Sequence, residues 1–566
     1  MGAPLQAGVL LALISVPLYH FFKSRIGNPL DRLPCPPSSS WLLGHFDELN
    51  GEKGVKREIQ LELAKKYGST FSMRSVLGER VLYTFDPKAL HHIFVKDALS
   101  YEEPEAFLRH VSHQNLLDDG SSTFKCSTVR TTLGPGVLAT PLGEHHRKQR
   151  KILNPAFSIA HMKNQRYMLT FSVVVPIFYE IAHKLRDTLV KKVQAAPTEV
   201  EISSWMGRTA LELIGQAGLG YSFDDLEDGD QLRQDPFANA IKALVPNFIR
   251  IAWAMVLILP WASRIGTSRF RQFVCTLFPW WKGLQDMKFT SDELWKYSTG
   301  IFDARVRALE GGNEEVKRQI GGGRDVLSLL IKENMKASDE ERLTKDELLA
   351  QTALSSTLRL LALYPDIQNR LREEINEAFK DGDASYETLV SLPFLDAVCR
   401  ETLRLHPPFP RMQRVAKHDI ILPLHKPAVG TNGSLMKEIF IRKNTVVHVS
   451  VLNTNCNQDL WGPDATDWKP ERWLQPLPAS LTDANMPGVY SHLMTFSAGQ
   501  RSCIGFKFSQ LEMKVVLAIL IQTFEFSDAG KEGSWDLTPI TSSSAGSEAP
   551  RVPIVMGMAK TTEDSV

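Results

Sequence analysis

The chain has 566 residues, 43% hydrophobic and 23% charged, proportions that exclude a disordered polypeptide and give ample material for a large core. Its 65 basic and 64 acidic residues leave a net charge of +1, so no bulk field favours nucleic acid, and charge-driven docking has to be local. The cysteines (Cys35, Cys126, Cys275, Cys399, Cys456, Cys503) include no CxxC pair, which fits a reducing compartment better than a disulfide framework and leaves room for a working thiolate.

Residues 1–22, "MGAPLQAGVLLALISVPLYHFF", contain no acid, lysine or arginine. As a helix such a run spans about 30 Å, roughly a bilayer core, so it reads as a transmembrane anchor. The rival is a cleaved signal peptide, but the basic leader and small-residue cleavage site are missing. Lys23, Arg25 and Arg32 follow the run and place the remainder on the cytosolic side. Residues 23–45 include "LPCPPSSSW", whose prolines cannot continue a helix, and read as a Pro-rich hinge. Nothing beyond it resembles a linker, so residues 46–566 read as one large domain.

Helical periodicity dominates that domain. "HHIFVKDAL" (91–99), "RYMLTFSVVVPIFYEIAHKLRDTLVKKV" (166–193) and "DVLSLLIKEN" (325–334) carry apolar residues at helical spacing. Strand-like runs such as "RVLYTF" (80–85) and "TVVHVSVLN" (445–453) are fewer, which predicts a mainly α protein with smaller β sheets, the α+β class. Polar or Gly-rich stretches at 309–325 and 542–553 read as surface loops. Residues 112–132 are polar and aperiodic, and "LGEHHRKQRKILNPAF" (142–157) is a basic helix.

"ELLAQTALSSTLRLLALYPDIQNRLREEI" (347–375) reads as one helix running into a second. In "FLDAVCRETLRLHPP" (394–408), Glu401 and Arg404 are three apart and share a helix face; alone, such a pair is common on solvated helices. "RMQRVAKHD" (411–419) supplies Arg414, and "DWKPERW" (467–473) supplies Arg472. "FSAGQRSCIGFKFSQLEMKVVL" (496–517) combines Phe496, Gly499, Arg501, Cys503 and Gly505 at fixed spacing ahead of an amphipathic helix. Glycines let a loop approach a flat ligand, and a helix N-terminus just beyond Cys503 stabilises a thiolate through its unpaired amide hydrogens.

This last motif, preceded in order by the Glu–Arg pair and "PERW", resembles the cytochrome P450 family, in particular its membrane-anchored fungal, basidiomycete-like monooxygenases. The resemblance implies the P450 fold and a haem b (iron-protoporphyrin IX) whose axial ligand is the Cys503 thiolate, a ligation that favours O–O cleavage. It implies that Phe496 shields the sulfur, that Arg501, Arg150 and Arg414 hold haem propionates, and that Glu401, Arg404 and Arg472 form a structural network behind the haem. His146 stands where the family places a tryptophan that also reaches a propionate, and an imidazole can still donate a hydrogen bond. Arg147, Lys148, Arg150 and Lys151, with Lys507 and Lys514, form either a docking face for an acidic reductase or a solvated basic surface.

The resemblance further implies monooxygenation of an apolar small molecule, such as a terpenoid or other secondary metabolite, with O2 and electrons from NADPH through NADPH-cytochrome P450 reductase. The setting is a single-pass protein of the endoplasmic reticulum membrane with a cytosolic catalytic domain. Two stretches depart from the family. The oxygen-side helix, which normally carries an acid and a threonine that relay protons, is truncated by about three to four turns, and Thr352 lies beyond the catalytic position. Residues 112–132 replace the loop that caps the substrate site. These departures point to a mis-assembled transcript. They leave open a haem-thiolate isomerase or peroxygenase, or a catalytically impaired haem protein.

Overall fold

The computed structural model describes residues 27–104 except 39, 41 and 51–54, then 137, 140–157, 165–227, 235–251, 254, 273 and 275–310. It continues with 347–530, 534–537, 541–544 and 552–560. Residues 1–22, 112–132 and 325–334, on which the anchor, the altered loop and one expected helix were read, lie outside the described residues. Among the described residues no helix is long and apolar enough to cross a membrane.

Among the described residues ten helices exceed ten residues: α1 (Arg57–Tyr67), α2 (Glu144–Phe157), α3 (Gln165–Val193), α4 (Ile202–Ile214), α5 (Pro236–Arg250), α6 (Lys282–Glu310), α7 (Glu347–Leu363), α8 (Pro365–Ala378), α9 (Pro393–Leu405) and α10 (Phe506–Thr523). Besides an antiparallel hairpin of Ile420–Val429 with Leu435–Ile441, the strands that matter for the site are β1 (Thr70–Arg74), β2 (Arg80–Thr84), β3 (Tyr101–Glu102), β4 (Thr198–Glu201), β5 (Arg411–Ala416), β6 (Val446–Ser450), β7 (Gly488–Tyr490), β8 (Leu493–Ala498), β9 (Phe524–Asp528) and β10 (Pro553–Met558). A five-stranded sheet has the order β1-β2-β6-β5-β3, a three-stranded sheet β9-β10-β4, and β7 pairs with β8. The runs read as strands at 80–85 and 445–453 lie side by side and pair in parallel, but the second strand stops at Ser450, whose hydroxyl caps a short helix from Val451 to Asn455. The mainly α, α+β expectation agrees with these elements.

Two expectations shift. Within residues 23–45, read as a hinge, Leu30 and Leu33 are buried, and Ser72 donates its backbone N–H to the Pro34 carbonyl. The packed body therefore reaches back past residue 46. In the C-terminal stretch read as a loop, Thr541–Ser544 is a strand paired with Ser534–Leu537.

Helix α10 is the axis of the core. Every residue from Leu511 to Ile521 is buried, so the helix expected to be amphipathic is covered on all sides, as its run of Val, Leu, Ile and Ala allows. Helix α9 packs beside it. Its first turn starts at Pro393, and the Glu374 carboxylate from α8 accepts the Phe394 and Leu395 amide hydrogens at 2.8 Å each, supplying the cap that the chain lacks locally. Helix α7 packs against α4, β9, α10 and α9, and Pro365 starts α8 immediately after it.

Candidate functional site: a cysteine loop in a cationic cradle

Strand β8 delivers the chain into the cysteine loop. Phe496, on β8, is buried and packs edge-on against Tyr490 with ring centroids 5.8 Å apart, and against Phe506 at 6.0 Å. Its carbonyl oxygen accepts the Cys503 N–H at 2.9 Å, so the loop from 496 to 503 closes on itself. Gly499 turns that loop at φ 64°, and a Cβ on it would collide with the Phe94 carbonyl oxygen. Gly is required there for both conformation and space. Cys503 forms no disulfide and sits two residues before Gly505, the N-cap of α10. Unpaired amide hydrogens of that helix end favour a thiolate over a thiol.

The cationic residues expected around the loop come from three distant parts of the chain. Arg150, on α2, donates through Nη1 to the Ser502 carbonyl at 2.9 Å. His146, one turn earlier on the same face, is buried, and its pKa falls to about 4 because of that burial and the neighbouring Arg501 and Arg150 charges. It is therefore neutral at pH 7. Arg501 donates through Nη2 to Glu102 Oε1 at 2.9 Å and to the Thr140 carbonyl at 2.8 Å. Arg414, on β5, is buried with its guanidinium 4.9 Å from the Phe94 ring centre and its Nη1 3.7 Å from Glu103 Oε1. Burial holds its pKa below the usual arginine value, with Glu103 opposing.

A second network lies behind the loop. Arg404 makes a two-pronged pair with Glu401, Nε to Oε2 and Nη2 to Oε1 at 2.8 Å each, and both side chains are wholly buried. Glu401 also accepts from the Lys469 N–H at 3.0 Å, from Trp473 Nε1 at 2.9 Å and from Arg472 Nε at 3.4 Å. Arg472 is anchored in turn on Asp464 Oδ1 at 2.9 Å. Arg404 continues to the Asn455 carbonyl at 2.9 Å; Asn455 Oδ1 accepts the Met494 N–H at 3.0 Å and its Nδ2 donates to Thr495 Oγ1 at 2.8 Å. Thr495 Oγ1 donates to the Leu403 carbonyl at 2.8 Å. A chain of hydrogen bonds thus runs from α9 into β8 and on to the cysteine loop. Trp473 stood in the quoted "PERW" without a role, whereas Asn455 and Thr495 carried no spacing signal.

The basic surface is narrower than expected. Arg147, Lys148 and Lys151 are exposed on α2, but Arg150 turns inward to Ser502 and Lys514 is buried on α10. Lys514 donates to Asp396 Oδ1 at 2.8 Å and to the Val390 carbonyl at 3.2 Å, so it cannot present charge to a partner. Helix α7, described from Glu347, ends at Leu363 just before Pro365. Two of its buried hydroxyls serve the helix itself: Ser356 Oγ donates to the Thr352 carbonyl at 2.7 Å and Thr357 Oγ1 to the Ala353 carbonyl at 2.8 Å.

The arrangement suits an anionic, flat ligand. Arg501 and Arg414 stand against the carboxylates of Glu102 and Glu103, and Arg150 adds a third guanidinium cation at the Ser502 carbonyl. Arg501 Nε is buried and has no hydrogen-bond partner among the described residues, a donor available to a further acid group. A haem carries two propionates and needs a soft axial ligand, and this donor set fits both requirements.

Comparison with known proteins identifies the family. The cytochrome P450 family model matches residues 34–544. Cytochrome P450 monooxygenase 91 of Postia placenta is 44% identical, covering 99% of this chain and 98% of its own length. Cytochrome P450 monooxygenase 81 of the same fungus is 39% identical, covering 98% of each chain. Ganoderic acid synthetase CYP5150L8 of Ganoderma lucidum is 38% identical over 92% of each. With a family match over nearly all its length and relatives aligned end to end, the chain belongs to the cytochrome P450 family of haem-thiolate monooxygenases.

Proposed function

We propose that Cys503 is the axial thiolate of the haem and that the chain inserts one oxygen atom of O2 into an apolar small molecule, using electrons from NADPH passed on by a cytochrome P450 reductase. The observation that carries this reading is the convergence of Arg150, Arg414 and Arg501, from three separate segments, around the Cys503 loop. Bound haem supplies oxygen activation. The chain's own residues do the rest: the loop and the start of α10 hold the sulfur, the three arginines and His146 orient the propionates, and Phe496 keeps water from the sulfur.

The relative named for ganoderic acid supports a substrate of the terpenoid class. Exposed Arg147, Lys148 and Lys151 are a docking surface for an acidic reductase. Residues 1–22 anchor the protein in the endoplasmic reticulum membrane, with the body on the cytosolic side. Exposed Phe273, Leu277, Phe278, Trp280, Phe289 and Trp295, clustered in sequence, support contact of that body with lipid. The test is carbon monoxide difference spectroscopy of the full chain expressed with ample haem precursor, beside Cys503→Ser. A thiolate-type band that disappears in the variant is expected. A colourless protein, or a band that survives the substitution, overturns the assignment.

Ser356 and Thr357, whose hydroxyls donate within α7, favour a second reading in which turnover proceeds without a threonine relay, as in a haem-thiolate peroxygenase or isomerase. Oxygen consumption with NADPH and reductase separates the two.

A further inference from the structure

Glu102 and Glu103, adjacent at the end of β3, place carboxylates on two of the arginines assigned above to the propionates. Their situations differ. Glu102 is a structural tie: Oε1 accepts from Arg501 at 2.9 Å while Oε2 accepts the Leu142 N–H at 3.0 Å, joining β3, the cysteine loop and the segment before α2. Glu103 has no comparable tie. Its Oε1 lies 3.7 Å from Arg414 Nη1, beyond hydrogen-bond length, and its Oε2 is buried without a hydrogen-bond partner among the described residues. A largely buried carboxylate so poorly satisfied is costly.

Counting the charges indicates what that carboxylate does. Arg501 pairs with Glu102, Arg414 lies against Glu103 and Arg150 sits on the Ser502 carbonyl, and two haem propionates would bring two further negative charges. The cradle, with His146 neutral, then holds more negative than positive charge, and the least anchored carboxylate is the one in conflict. We propose that Glu103 is a built-in competitor of a haem propionate for Arg414, weakening the chain's hold on its own haem. This rests on the haem assignment above and adds to it a residue that limits retention rather than promoting it.

The experiment follows haem loss from the loaded full chain into excess apomyoglobin by Soret absorbance, for the wild type, Glu103→Gln, Arg414→Gln and the double variant. Each protein is loaded with haem or, separately, with haem dimethyl ester, whose propionates carry no charge. Removing one charge conflict of this size should slow haem loss by about 3- to 10-fold in Glu103→Gln. The slowing should vanish with the dimethyl ester and in the double variant, where either propionate charge or Arg414 is missing. Equal or faster loss from Glu103→Gln overturns the proposal, and so does slowing that persists with the ester. Arg414→Gln, which keeps Glu103, should lose haem faster than wild type; if Glu103→Gln is too unstable to load, comparing Arg414→Gln with the double variant decides instead, since equal loss supports competition at Arg414 and slower loss from the double variant refutes it. A wild-type chain that forms no Soret-absorbing complex defeats the haem assignment itself and this proposal with it.

Discussion

Cys503 donates its backbone N–H to the carbonyl oxygen of Phe496 at 2.9 Å, seven residues earlier, and the side chains of both flank the same apolar wall beneath α10. This one bond fixes where the sulfur stands relative to the helix N-terminus. The loop can make it only because Gly499 takes φ 64° with its α-carbon against the Phe94 backbone.

Gly499→Ala should therefore be among the most damaging small substitutions in the molecule. A left-handed alanine costs on the order of 1 kcal/mol, and the collision with a backbone oxygen adds to it. The expected outcome is a loss of more than about 2 kcal/mol in urea unfolding and a matching loss of haem occupancy. Wild-type stability in the alanine variant would show that the loop has another closed conformation.

Breaking the Glu401–Arg404 pair should cost about 3–5 kcal/mol for either single substitution, because both side chains are wholly buried and the survivor keeps an uncompensated charge. For an isolated pair, replacing both partners with apolar residues recovers much of that loss. Here it should not. The Asn455 and Asp467 carbonyls, the Lys469 N–H and Trp473 Nε1 would all lose partners together. Equilibrium unfolding of Arg404→Leu, Glu401→Leu and the double variant checks this, and a double variant near wild-type stability would contradict it.

Thr495→Val tests the path from α9 to the cysteine strand. The hydroxyl both accepts from Asn455 Nδ2 and donates to the Leu403 carbonyl, so valine of similar shape leaves two buried groups without partners. The expected loss is about 1–3 kcal/mol, accompanied by faster haem release, since β8 carries Phe496. Haem release unchanged at reduced stability would confine Thr495 to a purely structural part.

How legible these residues were in advance follows from how far apart they lie. Cys503, Gly499 and Arg501 share one loop, and Glu401 and Arg404 share one helix face, so spacing alone reports them. Glu102 and Arg501 are 399 positions apart, and Asn455 and Thr495 are 40 apart on different elements. No periodicity marks such pairs, because sheet and helix packing create them. Lys514 shows the converse error: charge in sequence suggested a surface, whereas α10 is buried on every side and the lysine reaches Asp396 inside. The parallel pairing of β2 with β6, elements more than 360 residues apart, was equally beyond local pattern, although each strand was readable by itself.

His146 makes the haem-free protein sensitive to acid. Its pKa is near 4 when folded, lowered by burial and then by Arg501 and Arg150, against about 6.5 when unfolded. The unfolded chain thus binds the proton more readily between those values. The contribution is fully present above pH 6.5 and is lost as pH falls toward 4, with a magnitude on the order of 1–3 kcal/mol. His146→Gln should flatten this part of the stability profile, measured by urea unfolding at successive pH values. An unchanged slope would assign the acid sensitivity to other buried histidines, such as His448, whose pKa is lowered to about 3 by burial and Arg411.

The shortness of α7 bears on what happens to the electrons. The segment carries no acid between Thr352 and Leu363, and the hydroxyls of Ser356 and Thr357 donate to the Thr352 and Ala353 carbonyls, 2.7 and 2.8 Å away. Both hydroxyl hydrogens are thus held by the helix itself, and no acid stands beside them to complete a relay. A positioned proton donor typically contributes about 10²- to 10⁴-fold to rate, so product formation should be slow while electrons still arrive from the reductase. Most NADPH consumed in a reconstituted system with reductase should then emerge as hydrogen peroxide, with little substrate oxidised. Peroxide and product are quantified against NADPH in the same reaction. Thr357→Val should leave that ratio unchanged, because its hydroxyl is already committed to the helix. A tightly coupled wild-type enzyme, or a sharp rise in peroxide on this substitution, would mean that α7 does supply protons.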